Sequence, residues 1–182
     1  MQASAAFILV YIVFPLWVAA GLADWRCHRN TGIAVTSGVR ENLLHWLMYA
    51  EIGVGFVAVA LFEVNVALLA IVFLVFLVHE ATVWVDLEYS TLLRDVGPGE
   101  QMVHSFLELL PLVTLALLAV MADLGDWSLR LRREPWPVES LVACAAATIF
   151  FNALPLAQET FACLKARGEP APQPRQRVEP RL

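Results

Sequence analysis

Five stretches of this chain, 5–23, 42–62, 64–85, 102–122 and 138–157, are apolar over the length that a helix needs to cross a bilayer. A crossing takes about 20 residues at a rise of about 1.5 Å each. Within hydrocarbon the backbone must satisfy its own hydrogen bonds, so these stretches predict an all-α, polytopic membrane protein with five transmembrane helices. At 182 residues, 59% of them hydrophobic, the chain has the length of one domain and more apolar side chains than a soluble domain of that size carries. The spans and their connections form one domain, 1–167, while 168–182 is rich in Pro and Arg and reads as a disordered cytoplasmic tail. The first span has no Lys or Arg before it and is expected to be retained rather than cleaved.

Lys and Arg near span ends are held on the cytoplasmic side. With the N-terminus outside, Arg26, Arg29, Arg40, Arg94, Lys165, Arg167, Arg175, Arg177 and Arg181 fall inside, and only Arg130, Arg132 and Arg133 fall outside. Nine against three predicts an N-out, C-in protein in contact with membrane lipid, and a bacterial inner membrane is its expected home. A net charge of −5 without a basic stripe argues against a nucleic-acid partner. Cys27, Cys144 and Cys163 have neither disulfide nor CxxC spacing and read as free thiols.

The local signals place the helix ends. Thr31 and Gly32 suit a helix stop, and Thr36 and Ser37 suit a cap for the second helix. Gly97, Pro98 and Gly99 mark a turn before the fourth span, while the third helix is expected to continue into the interface. Pro15 and Pro111 are candidate kinks, Gly53 and Gly55 would let another helix come close, and Trp127 and Trp136 look like interfacial anchors.

On this topology the chemically active side chains gather at one face. Asp24 and His28 close the first span, and Glu41 and His45 open the second. His79, Glu80 and Asp86 close the third, and His104 and Glu108 open the fourth. Residues four apart share a helical face, so each such pair can aim at one point. All four histidines of the chain are used, each on its own helix and each near an acid. Imidazoles and carboxylates from facing helices are what a dinuclear metal site in a bundle requires. Four carboxylates with two divalent ions would also be neutral, removing the cost of anions beside hydrocarbon. The expected cofactor is therefore two divalent metal ions, iron first, with manganese or zinc also suited to a mixed N/O shell. His79 and Asp86 lie two turns apart, roughly 10 Å along the axis, and Glu80 points about 100° away from His79, which makes these the outlying members. Glu51, deeper than His45, and Tyr49 are candidates for handling protons. The fifth span carries Asn152, Pro155 and Glu159 but no His and is expected to cover a four-helix site.

In these segments, 24–28, 41–45, 79–86 and 104–108, the site design resembles the membrane-bound non-haem di-iron hydroxylases, desaturases and oxidases. That resemblance implies oxygen activation on a lipidic substrate, and the expected reaction is the oxidation or hydroxylation of a lipid or quinone-like molecule, with the redox partner left open. The chain lacks the clustered HxxxH and HxxHH motifs of that class, and its acid-and-imidazole mixture is closer to soluble di-iron bundles and interfacial quinol oxidases. Three other readings use the same residues. Opposed histidines can ligate a b-type haem in an electron-transfer subunit, intramembrane His and acids can line a cation or proton path, and Arg26, Arg29, Arg40 and Arg94 can pair the acids in a purely structural subunit.

Overall fold

The computed structural model describes residues 1–167; the tail expected over 168–182 lies outside them. The described residues contain five helices long and apolar enough to cross a membrane: α1 (Gln2–Thr31), α2 (Val39–Leu61), α3 (Val66–Leu93), α4 (Pro98–Met121) and α5 (Val138–Ala166). They close into a ring in which α1 packs on α4, α4 on α3, α3 on α2, α2 on α5 and α5 on α1. The fifth helix is thus a wall of the bundle. It does not lie over the other four.

Each boundary has a local cause. Gly32 ends α1 in the left-handed region at φ 72°, ψ 41°, a conformation that costs glycine no Cβ clash, and its N–H returns to the His28 carbonyl. A 3₁₀ turn, Ile33–Val35, follows, and α2 then starts from Gly38 rather than from the Thr36 or Ser37 side chains. Asn65 caps α3 by accepting the Leu68 N–H at 3.1 Å. The α3 helix runs on to Leu93, beyond its apolar stretch, as expected. Pro98 opens α4 at its first turn, where a missing N–H costs nothing, so this helix starts four residues earlier than its apolar run.

The prolines act differently from one another. Pro15 and Pro155 each follow a widened π turn, Leu9–Val13 and Ile149–Ala153, where the Phe14 and Leu154 N–H groups reach back to the Leu9 and Ile149 carbonyls. Such a turn makes room for a ring that would otherwise strike the carbonyl one turn back. Pro111 sits inside a continuous α4. Gly21 lets α1 and α5 close on each other, since a Cβ there would collide with the Asn152 amide, which donates to the Val18 carbonyl at 3.2 Å.

The bundle is inside-out relative to a soluble one. Among the described residues, thirteen polar or charged ones are buried against ten apolar ones, while Phe73, Leu74, Leu77 and Val78 of α3 are exposed where lipid would lie. The apolar core of Ala58, Leu68, Val72 and Leu118 fills the end where α2 and α4 finish. Over that end, the loop after α4 bonds across the α2–α3 turn: Asn65 donates to the Ser128 carbonyl at 2.7 Å, and the Arg132 N–H to the Leu61 carbonyl at 2.8 Å. Trp127 is exposed there, whereas the Trp136 indole is tied to the Val59 carbonyl at 3.3 Å. Partly exposed Asp126 is held below the usual carboxylate range by hydrogen bonds from Ser128.

Candidate functional site

The opposite end of the bundle carries the buried charge. Three pairs repeat one pattern, an acid four residues before a histidine on the same helix: Asp24 and His28, Glu41 and His45, Glu100 and His104. Because α4 begins at Pro98, Glu100 lies in its first helical turn and not in a loop. His104 therefore has an acid one turn before it on its own helix, at 4.0 Å, while its nearest acid is Asp24 of α1. Glu108, a turn deeper, stands beside Glu80 and His79 instead.

Three of the four histidines converge. His104 Nε2 is 2.9 Å from Asp24 Oδ1, and His28 Nε2 is 3.4 Å from the same oxygen and 3.5 Å from Glu100 Oε1. His45 Nε2 lies 3.6 Å from Asp86 Oδ1 and 3.9 Å from Glu41 Oε1. The His28 and His45 rings are stacked, with centroids 4.4 Å apart and planes 8° from parallel. Two groups of ligand-type atoms result, Asp24, His28, Glu100 and His104 in one and Glu41, His45 and Asp86 in the other, each within 4.8 Å, and a third, His28, His45 and Glu159, joins them.

Glu159 of α5 ties the groups together. Its two oxygens accept from His28 Nδ1 at 3.2 Å and His45 Nδ1 at 3.3 Å, and Asn42 Nδ2 donates to it at 2.9 Å. A neutral imidazole that gives its Nδ1–H to Glu159 presents a bare lone pair at Nε2. Those Nε2 atoms face carboxylate oxygens, which are also acceptors. His28 Nε2, Asp24 Oδ1 and Asp86 Oδ1 are buried with no hydrogen bond of proper alignment, despite their closeness to one another.

Arg94 holds the charge balance. It reaches into the bundle from the end of α3, donating through Nε to Glu41 at 3.1 Å and pairing through Nη2 with both Glu41 and Glu100. Burial works against its charge, but the bonds to these two acids outweigh that and hold its pKa above the ordinary arginine value. Glu41 is thus partly occupied by a guanidinium, as the salt-bridge reading expects. Asp24, Glu41, Asp86, Glu100 and Glu159 carry five negative charges against one from Arg94, leaving a deficit of four if the imidazoles are neutral.

The remaining sequence candidates lie apart from the two groups. His79, two turns from Asp86, gives its Nδ1–H to Glu51 at 3.3 Å, and Thr82 donates to the other Glu51 oxygen at 2.7 Å. Expectation placed all four histidines at one depth. The axial rise of α3 sets His79 deeper than Asp86, and Glu51 meets it there. Glu80 is only half-buried, next to Glu108, and reaches neither group. Tyr49 lines both the site cavity and a second, deeper one. Sequence reading missed Glu100 and Glu159. The acid-before-histidine spacing of the first two helices points to Glu100, but a lone acid on a helix without histidine gives no such signal for Glu159.

Asp24, His28, His45, Asp86, His104 and Glu159, with His79 and Glu108, border a cavity of about 130 Å³. Compared with protein-family models, with curated proteins and with solved structures, the chain matches none.

Proposed function

We propose that this is an integral protein of a bacterial inner membrane, N-terminus outside, with a dinuclear metal site at its cytoplasmic face that oxidises or hydroxylates a lipid or quinone-like molecule. The observation that carries this is the pair of imidazoles held at Nδ1 by Glu159 with their Nε2 atoms facing carboxylates. A carboxylate that orients a histidine through its far nitrogen is the usual support of a metal ligand. Asp24, His28, Glu100 and His104 would hold one ion; His45, Asp86 and a share of Glu41 would hold the other. Two divalent ions, iron in first place, also cancel the deficit of four charges.

Such a centre supplies activation of O2 when bound. Hydroxylation then leaves one oxygen atom in a substrate C–H bond and the other in water, drawing two electrons and two protons from a redox partner. Within the chain, His79, which is hydrogen-bonded to Glu51, and Tyr49 border the same cavity and can hand protons to it. The haem alternative fits less well, because the stacked rings of His28 and His45 leave no space for a porphyrin between them.

The test is oxygen uptake by the iron-loaded protein in liposomes of bacterial lipid extract supplemented with a quinol, with reductant supplied and products followed by mass spectrometry. Uptake that depends on His45 and yields an oxygenated lipid or an oxidised quinol is the expected result. A metal-loaded protein that leaves both unchanged would contradict the enzymatic reading.

A further inference from the structure

A second cavity of about 250 Å³ lies deeper in the ring and shares Trp17, Tyr49 and Ile52 with the site cavity. No charged residue lines it. Two of its polar side chains spend their hydrogens on backbone: Thr148 donates to the Cys144 and Ala145 carbonyls, and the Trp136 indole to the Val59 carbonyl. What remains is a largely apolar chamber, with Thr114 and Ser140 also on its wall and a phenol at its junction with the histidine cluster.

Irregular backbone borders this space. The widened turn of α1 contributes Leu9, Val10 and Val13, and Pro111 of the continuous α4 lies on another wall. Gly53 of α2 lines it as well, and a Cβ there would meet nothing within 4 Å. The expectation that Gly53 admits a neighbouring helix is therefore not met; its missing side chain leaves chamber space. The far end carries the bonded loop described above, so the bilayer is the natural source of an occupant.

We propose that the chamber holds the hydrocarbon tail of a single-chain amphiphile whose polar head, a carboxylate or a quinone ring, lies at Tyr49 beside the cluster. A volume below the usual range for drug-sized ligands, about 300–1,000 Å³, suits one chain rather than the two of a phospholipid. The fate of the head rests on the metal-dependent reading above. The seating of the tail does not.

The experiment uses the full chain in phosphatidylcholine nanodiscs and palmitic acid carrying a mid-chain diazirine. Photocrosslinks are mapped by mass spectrometry, and metal content is measured on the same samples. Crosslinks are expected on the Leu9–Val13 turn and on α2 around Gly53. Gly53→Leu and, independently, Ala60→Phe, which also borders the chamber, should each reduce them several-fold while bound metal stays at the wild-type level. Competition by oleic acid assigns a carboxylate head and competition by decylubiquinone a quinone head; competition by neither overturns the proposal. It is equally overturned by crosslinks confined to outward-facing residues such as Phe73 and Leu74, or by chamber crosslinks that persist in both variants. Wild-type protein that binds no metal yet shows the expected crosslinks would remove the metal reading and leave the tail site standing.

Discussion

His28 and His79 are both buried, and both give an Nδ1 hydrogen to a buried carboxylate, Glu159 in one case and Glu51 in the other. They differ at the second nitrogen. His28 Nε2 faces Asp24 and Glu100, whereas among the described residues no acid comes within ion-pair distance of His79 Nε2. Glu51 is further occupied by Thr82, and Glu159 by a second histidine. A histidine beside an acid is thus a closed pair in one place and a ligand-like arrangement in the other. Contact alone does not separate them; the surplus of acceptors does.

Breaking the charge balance should have the largest effect on stability. Arg94→Leu leaves Glu41 and Glu100 buried without their cation, and losing one partner of a buried pair costs about 3–5 kcal/mol. Thermal unfolding in detergent should show this, with added metal recovering part of the loss. Next in size is Glu159→Gln, which lets the His28 and His45 rings turn. Loss of such a supporting carboxylate weakens metal affinity about 10–100-fold, measurable by competition with a chelator. The smallest effect belongs to the closed pair: Thr82→Val removes one hydrogen bond to Glu51, costs about 1 kcal/mol, and should leave metal affinity unchanged. Equal effects of Glu159→Gln and Thr82→Val on metal affinity would erase the distinction between the two histidines.

The five helices were legible because span length is fixed by bilayer thickness, and Gly32 stops α1 where its sequence suggests. The start of α4 was hidden because Glu100 and Gln101 are polar and Pro98 reads equally as a turn or as a first helical residue. That hidden turn carried Glu100 and left Glu108 as the apparent partner of His104. Asp24, His28, Glu41, His45, Asp86 and His104 could be found, since helical spacing and a shared face are local properties. The role of Glu159 depends on the ring closing α5 against both α1 and α2, and no local pattern states which helices become neighbours. The same holds for Glu51 and His79, which are 28 residues apart.

The most direct test of the account is metal content, measured by mass spectrometry on detergent-purified protein after incubation with Fe2+, Mn2+ or Zn2+ and removal of excess metal. Wild type, the His45→Ala, His104→Ala double variant and His79→Ala are compared. The account predicts about two ions per chain in wild type and in His79→Ala, and nearly none in the double variant. Wild type that retains no metal, or a loss from His79→Ala equal to that of the double variant, would contradict it.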